Sequence, residues 1–373
     1  MLYKNYILTE RDKLQLEAFN AAKKANFDGI LLLPTGAGKG KIMIDIVNFL
    51  KPKTILYLCD SVLLRDKMII DEFHKWGAEY QLTIMDRVCY QTACKWKNKY
   101  YDLILGDEFD AALTPKRKNT FNEIKSKHKI LVSATLDDVK RKMATKIAPI
   151  IFEKKPTELI ENGVLNKVDF YFVNYDLSIA ENIKYLNYNK EFKYLLNSIQ
   201  TQKVKYSLEK LQIQRKQFLS SLTSSVKATQ WIIKNLEKRK QKILIFCGLT
   251  EQANRICKHT YYADSEDQSM LQKFDSGHIM TLAVVNKVDR GMNINGVKYI
   301  IHESIGKSKT RMTQRTGRGM RLDVNETLSV FFLVPYFSHP FHGKRPTIVK
   351  QWVLDSTVDM DLSKVKTINY TFK

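Results

Sequence analysis

The stretch Ile30-Leu31-Leu32-Leu33-Pro34-Thr35-Gly36-Ala37-Gly38-Lys39-Gly40-Lys41-Ile42-Met43-Ile44 runs from an apolar strand, through a glycine-bearing loop, into a helical pattern. Four consecutive aliphatic residues closed by a proline read as a strand buried on both faces. Gly36 and Gly38 free the backbone to turn its N–H groups toward an anion. Lys39 adds a cation that reaches terminal phosphates, and a helix from Lys41 contributes its positive end. Thr35, Gly36, Ala37, Gly38, Lys39, Gly40 and Lys41 are the candidate phosphate-binding residues. Loops of this kind normally follow the lysine with Ser or Thr, whose hydroxyl ligates Mg²⁺; here the residue is Gly40.

The same rhythm spreads outward. Residues 54–58, 103–105 and 130–132 read as further buried strands, separated by amphipathic stretches at 41–50 and 62–76. A second series follows at 242–247, 280–285, 297–302 and 328–334. The expectation is an α/β chain of two tandem domains, each a mainly parallel sheet flanked by helices. The boundaries read from the pattern are 1–155 for the first domain, 156–241 for a connector and basic helical insert, 242–335 for the second domain, and 336–373 for an extension packed on it. Residues 178–240 contain no Pro or Gly and place apolar side chains at Leu208, Leu211, Phe218, Leu219 and Leu222. That composition predicts long helices and not a flexible linker.

With 373 residues and 44% hydrophobic content the chain can bury about two cores. Its 61 Lys and Arg exceed 39 Asp and Glu by 22, a balance that favours polyanionic partners. The excess is concentrated: residues 182–242 carry 14 basic and 3 acidic side chains, so 14 − 3 = 11 of the surplus charges sit in about a sixth of the chain. Five cysteines with no CxxC pair exclude a disulfide framework and a zinc knuckle, and reduced thiols are expected. The N-terminus shows no signal-peptide apolar region, and no apolar run reaches the roughly 18 residues of a membrane span. The expectation is a soluble cytoplasmic protein, in the host cytoplasm if phage-encoded, without membrane contact.

Carboxylates complete the picture. Asp107-Glu108-Phe109-Asp110 follows an apolar strand and begins 107 − 39 = 68 residues after Lys39. This puts two acids at a strand's C-terminal end, where open α/β sheets bind ligands. Asp107 is the candidate Mg²⁺ ligand, and Glu108 the residue that orients an attacking water. Ser133-Ala134-Thr135 follows the next strand. Far downstream, Thr313-Gln314-Arg315-Thr316-Gly317-Arg318-Gly319-Met320-Arg321 spaces three arginines by three residues and can supply cations to the same phosphates.

In order, spacing and strand context these segments resemble the superfamily 2 helicases and translocases, over residues 5–335, and among them most resemble phage or bacterial DNA-remodelling members. The resemblance implies two RecA-like domains closing over ATP and Mg²⁺, and a compact motor acting on forks, branches or short duplexes. It assigns Gln15 to adenine and Ser133-Ala134-Thr135 to coupling. Tyr90, Gln91 and Thr92 would contact a strand, and Ile245-Phe246-Cys247 would open the fourth motif. Residues 286–293 resemble the fifth motif, with Asn286 facing nucleic acid and Gly291 and Asn293 the nucleotide, Asn293 standing where Asp is common. Gln314 would lie near the attacking water, Arg318 and Arg321 would be arginine fingers, and Arg315 would brace the domain interface. DNA is favoured over RNA as partner, and a monomer is expected.

Two matters stay open at this stage. The insert reads equally as a lining of the nucleic-acid groove, with Lys203, Lys205, Lys210, Arg215 and Lys216 near phosphates and Tyr188, Tyr194 or Tyr206 stacking on bases, and as a solvated helical spacer. Gly40 keeps alive a nucleotide- and nucleic-acid-binding protein with weak or no hydrolysis, and an RNA helicase is the other alternative.

Overall fold

The computed structural model describes residues 8–134, 136–199, 201–262, 269–285, 294–306, 309–317, 319, 322, 325–357 and 360–371; the side chains of 309–311 and 314 are outside that description. The chain divides into two compact units. The first holds the residues up to Asn166 together with those of Thr310–Asn325, and the second holds Lys167–Val288, Ile294–Lys309 and the residues from Glu326 onward.

In the first unit, β1 (Asp28–Leu32), β2 (Ile55–Cys59), β3 (Met85–Cys89), β4 (Lys99–Gly106), β5 (Ile124–Ser133) and β6 (Ile150–Glu153) form a sheet in the order β3-β2-β4-β5-β1-β6. Every pairing is parallel. The aliphatic runs make this possible, because a parallel sheet covered on both faces asks for side chains that are apolar on both; all five residues of β2 are buried. One face closes over a core that includes Ile30, Leu32, Leu56, Leu58, Tyr90, Ile104, Phe109 and Leu131. The helix Glu10–Lys24 is fixed at its start by a capping box. The Asp12 N–H donates to the Thr9 hydroxyl across 3.2 Å, and the Thr9 N–H donates back to the Asp12 carboxylate across 2.9 Å.

In the second unit, β7 (Lys167–Asp176), β8 (Lys242–Cys247), β9 (Thr260–Tyr262), β10 (Thr281–Val285), β11 (Val297–His302), β12 (Thr327–His339), β13 (Gly343–Pro346) and β14 (Lys366–Tyr370) form one sheet. Its order is β14-β7-β12-β11-β8-β10-β9, all parallel, with β13 added antiparallel to β12 as a hairpin. His302 is stacked between Phe246 and Phe332, ring centroids 5.4 and 5.2 Å away, at the centre of this sheet. Helices Ile179–Asn197, Gln202–Leu219 and Thr223–Glu237 follow β7 in succession. Each of the first two starts at a hydroxyl cap, Ser178 and Thr201. Among the described residues no helix is long and apolar enough to cross a membrane.

Six strands escaped the pattern reading: β3, β6 and β9 at sheet edges, β13 of the hairpin, and β7 and β14. β7 lies in the stretch read as connector, and β14 in the tail. Both carry polar residues between their apolar ones, so neither shows the uninterrupted aliphatic run that marks a central strand.

Candidate active site

At the C-terminal end of β1 the backbone turns through Gly36 and Gly38 at φ 93° and 88°, a region that side chains strain to enter. Gly38 is constrained twice over. A Cβ there would lie 2.1 Å from Gln15 Nε2, and that amide donates to the Ala37 carbonyl across 3.3 Å. Gln15 therefore lies directly on the loop, while Thr35 and Ala37 are buried beneath it. The helix Lys39–Leu50 begins at once, leaving the N–H groups of its first turn for an anion. The Lys39 ammonium donates to the Leu33 carbonyl across 3.2 Å, which bends the side chain back over the loop. The Lys41 side chain is engaged elsewhere: it pairs with Asp45 and stands 5.0 Å from the centroid of the Trp76 ring. What Lys41 offers the loop is its backbone N–H.

The acidic turn at the end of β4 is anchored by two buried tyrosines that the sequence reading missed or misplaced. The Tyr57 hydroxyl donates to Asp107 Oδ2 across 3.0 Å, and the Glu108 N–H donates to Oδ1 across 2.9 Å. Part of Asp107 reaches solvent, yet its carboxyl group is enclosed. Burial raises its pKa above the usual carboxylate range, and the Lys39 ammonium is the strongest influence pulling it down. The Tyr57 hydroxyl is pushed well above the usual phenol range by burial, then by the Asp107 charge.

Tyr90 corrects an expectation. It is fully buried, and its hydroxyl donates to the Asp107 carbonyl across 3.0 Å. It positions the acidic turn and is not presented to a strand. Gly106 makes room for it, because a Cβ there would lie 2.9 Å from that hydroxyl. Gln91 and Thr92 are exposed, and the Gln91 amide donates to the Asp60 carbonyl across 3.1 Å.

Glu108 adopts φ 48° and ψ 50°, the left-handed region. A glutamate held there stores strain of the kind found where a side chain must be aimed. Asp110 is fully buried, and its partners include the Lys140 ammonium 3.1 Å away and the Ser133 hydroxyl, which donates across 3.3 Å. The acidic turn and the start of Ser133-Ala134-Thr135 are thus one hydrogen-bonded structure. Within the first unit, Gly317 meets Thr35 so closely that a Cβ on the glycine would lie 2.6 Å from the threonine Cβ. Arg315 is buried, 5% exposed. Thr135, Asn286, Gly291, Asn293, Arg318 and Arg321, and the Gln314 side chain, lie outside the described residues.

The insert belongs to the second unit. Lys203, Lys205, Lys210 and Lys216 are exposed on the helix Gln202–Leu219 or its flank. Arg215, expected near phosphates, is turned inward. Its guanidinium donates to the Tyr185 hydroxyl across 3.0 Å and lies 5.2 and 5.6 Å from the ring centroids of Tyr185 and Phe192. It joins two helices. Tyr188 packs on Phe218 at 5.5 Å, whereas Tyr194 and Tyr206 are exposed.

A triphosphate and its divalent cation suit the first unit's site. Two glycines in conformations that turn N–H groups outward, the Lys39 side chain bent back over the loop, and the Asp107 carboxylate held by Tyr57 and the Glu108 N–H make an anion cradle beside a hard oxygen donor. Gly40 supplies no hydroxyl. The sequence reading also missed Glu72 beside Gly40, and Lys140, since both contacts are tertiary and no local spacing marks them.

Residues 224–323 match the helicase conserved C-terminal domain family. The chain is 24% identical over 360 residues to the DNA 3'-5' translocase XPB2 of Sulfurisphaera tokodaii, across 86% of this chain and 82% of that protein. Among solved structures it is similar to the ATP-dependent Type ISP restriction-modification enzyme LlaBIII bound to DNA, with TM-score 0.61 and 13% identity over 99% of this chain. The chain spans only 31% of that enzyme's length. It is also similar to the Pyrococcus furiosus Hef helicase domain, with TM-score 0.54 and 15% identity over 94% of this chain and all of that one. At such identities the likeness to solved structures establishes the fold.

Proposed function

We propose that this chain, which belongs to the superfamily 2 helicases and translocases, couples Mg²⁺-dependent ATP hydrolysis to movement along DNA. It is an ATP-dependent enzyme with a nucleic-acid partner. DNA is preferred to RNA because the similar curated protein is described as a DNA translocase. The reading extends to a monomer working in the cytoplasm on forks, branches or short duplexes.

The observation that carries it is that one parallel sheet holds both the glycine loop after β1, with a helix starting from it, and the acidic turn after β4, with Asp107 fixed by Tyr57 and the Glu108 N–H. In the proposed mechanism the loop N–H groups and Lys39 hold the phosphates, and Gln15, lying on the loop, recognises adenine. Asp107 would hold a divalent cation, whose positive charge would offset that of the phosphate oxygens. Glu108, aimed by its strained backbone, orients the attacking water and takes its proton. Gln314 positions that water, and Arg318 and Arg321 offset the charge that develops on the transferred phosphoryl group. Lys205, Lys216, Gln91, Thr92 and Asn286 are the proposed nucleic-acid contacts, together with Tyr194 and Tyr206.

ATP turnover measured with no nucleic acid, with single- and double-stranded DNA and with matched RNA, for the wild type and Glu108→Gln, tests this reading. DNA-stimulated turnover that collapses in the variant while ATP binding persists is expected. Turnover that ignores both nucleic acid and Glu108 overturns it, and stimulation by RNA alone replaces the DNA assignment.

A further inference from the structure

Gly40 lies in the first turn of the helix Lys39–Leu50, where the related loops carry a metal-binding hydroxyl. The space beside it is filled. A Cβ at this position would lie 2.8 Å from Glu72 Cγ, 3.0 Å from Glu72 Oε1 and 3.2 Å from Glu72 Cδ. A serine or threonine and the present Glu72 conformation exclude one another, because a hydroxyl one bond beyond that Cβ and the Glu72 Oε1 compete for the same small volume.

Glu72 comes from the helix Ile69–Lys75, which follows β2, and is half-buried. Its neighbours leave the carboxylate uncommitted. Lys41, which follows Gly40 directly, is paired with Asp45, and among the described residues none forms a hydrogen bond or ion pair with the Glu72 side chain. A carboxylate that stands where an oxygen donor is missing, with no protein partner of its own, has the chemistry to replace that donor. Carboxylate oxygen is the preferred ligand of Mg²⁺ and Mn²⁺.

We propose that Glu72 supplies the metal ligand that Gly40 lacks, so that the divalent cation of the nucleotide is held by two carboxylates, Asp107 and Glu72. This rests on the ATP reading above. The substitution of glycine for the hydroxyl residue is then a relocation of the donor and not a loss of it, and the site carries one more negative charge than a loop with a hydroxyl. The nucleotide complex is correspondingly more dependent on its metal.

The test is binding, without turnover. ADP affinity is measured by titration calorimetry in EDTA and in Mn²⁺, and Mn²⁺ affinity in the ADP complex is measured by electron paramagnetic resonance. The proteins are the wild type, Glu72→Gln, Gly40→Ser and the double variant Gly40→Ser/Glu72→Ala. Glu72→Gln should strengthen ADP binding in EDTA, since a charge repelling the phosphates is gone, and weaken Mn²⁺ roughly 10- to 100-fold, the scale on which metal sites respond to loss of a supporting group. Gly40→Ser alone should also weaken Mn²⁺, because its Cβ displaces Glu72. The double variant should recover Mn²⁺ affinity toward that of the wild type, since the hydroxyl then has room. Unchanged Mn²⁺ affinity in Glu72→Gln overturns the proposal and leaves the ATP reading standing, whereas absence of ADP binding in every protein, the wild type included, overturns both.

Discussion

Ser133 and Asp110 are joined by a hydrogen bond: the serine hydroxyl at the end of β5 donates to the buried carboxylate across 3.3 Å. This bond ties the turn that bears Asp107 and Glu108 to the next strand's exit. The other oxygen of Asp110 faces the Lys140 ammonium at 3.1 Å, with the carboxylate fully buried and the lysine a quarter exposed. Breaking one side of such a pair leaves a charge without compensation, at a cost of about 3–5 kcal/mol when fully buried. Asp110→Asn and Lys140→Met should each destabilise the first unit strongly. The double variant Asp110→Asn/Lys140→Met should be less damaged than the sum of the singles. Chemical denaturation of all three, read as a double-mutant cycle, checks this; additive losses would rule out the coupling.

Tyr90→Phe removes the donor to the Asp107 carbonyl and leaves a buried acceptor unpaired. The expected cost is about 1–3 kcal/mol, with ATP turnover reduced through a displaced acidic turn. Affinity for a single strand at fixed salt should stay at the wild-type level. A selective fall in strand affinity, with stability intact, would return Tyr90 to the nucleic-acid surface and contradict its burial.

Asp107→Asn replaces an enclosed carboxylate whose burial disfavours its charge. The nucleotide-free protein should become more stable, its Tm rising by a few degrees (about 1 kcal/mol is worth roughly 2–4 °C in a chain of this size), while turnover is abolished. Function and stability oppose one another at this residue. Calorimetry of the two nucleotide-free proteins would show a lower Tm for the variant if the carboxylate were instead a stabilising element.

Glu303 gives the second unit a pH dependence. Burial raises its pKa to about 7, against the hydrogen bonds it accepts from the Ser225 hydroxyl at 2.6 Å and from Gln252. Because the folded value lies above that of the unfolded chain, its contribution is fully present below pH about 4 and is lost as pH rises to about 7. The loss is on the order of 3 kcal/mol. Glu303→Gln should flatten this part of the stability profile, gaining on the wild type between pH 5 and 8. Parallel denaturation curves at both pH values would remove Glu303 as the cause.

The loop after β1 and the acidic turn after β4 were legible because each is local: a few residues of fixed type bounded by an aliphatic strand. The parallel sheets were legible for the same reason in β1, β2, β8 and β10, whose residues are almost all buried. Tyr90 was misread because a tyrosine beside Gln91 and Thr92 looks polar in sequence, and only the sheet shows its ring facing inward. Arg215 was misread similarly, since a lysine-rich helix does not reveal which cation lies over aromatic rings. Glu72 left no signal at all. It is 72 − 40 = 32 residues from the glycine it meets, and nothing but the packing of two helices brings them together.

The position of β7 governs the order in which the second unit can be made. It is synthesised before the helical insert, yet both of its neighbours, β12 and β14, come long after. The Asn174 amide, for instance, donates to the Asn369 side chain 195 residues later. At about 5–20 residues per second, a nascent β7 waits on the order of 10–40 s for that outer neighbour. Throughout that interval its backbone edges are open to incorrect pairing. The vulnerable moment in this protein's life is therefore on the ribosome, before any nucleotide is bound, and slow translation of the last hundred residues lengthens it.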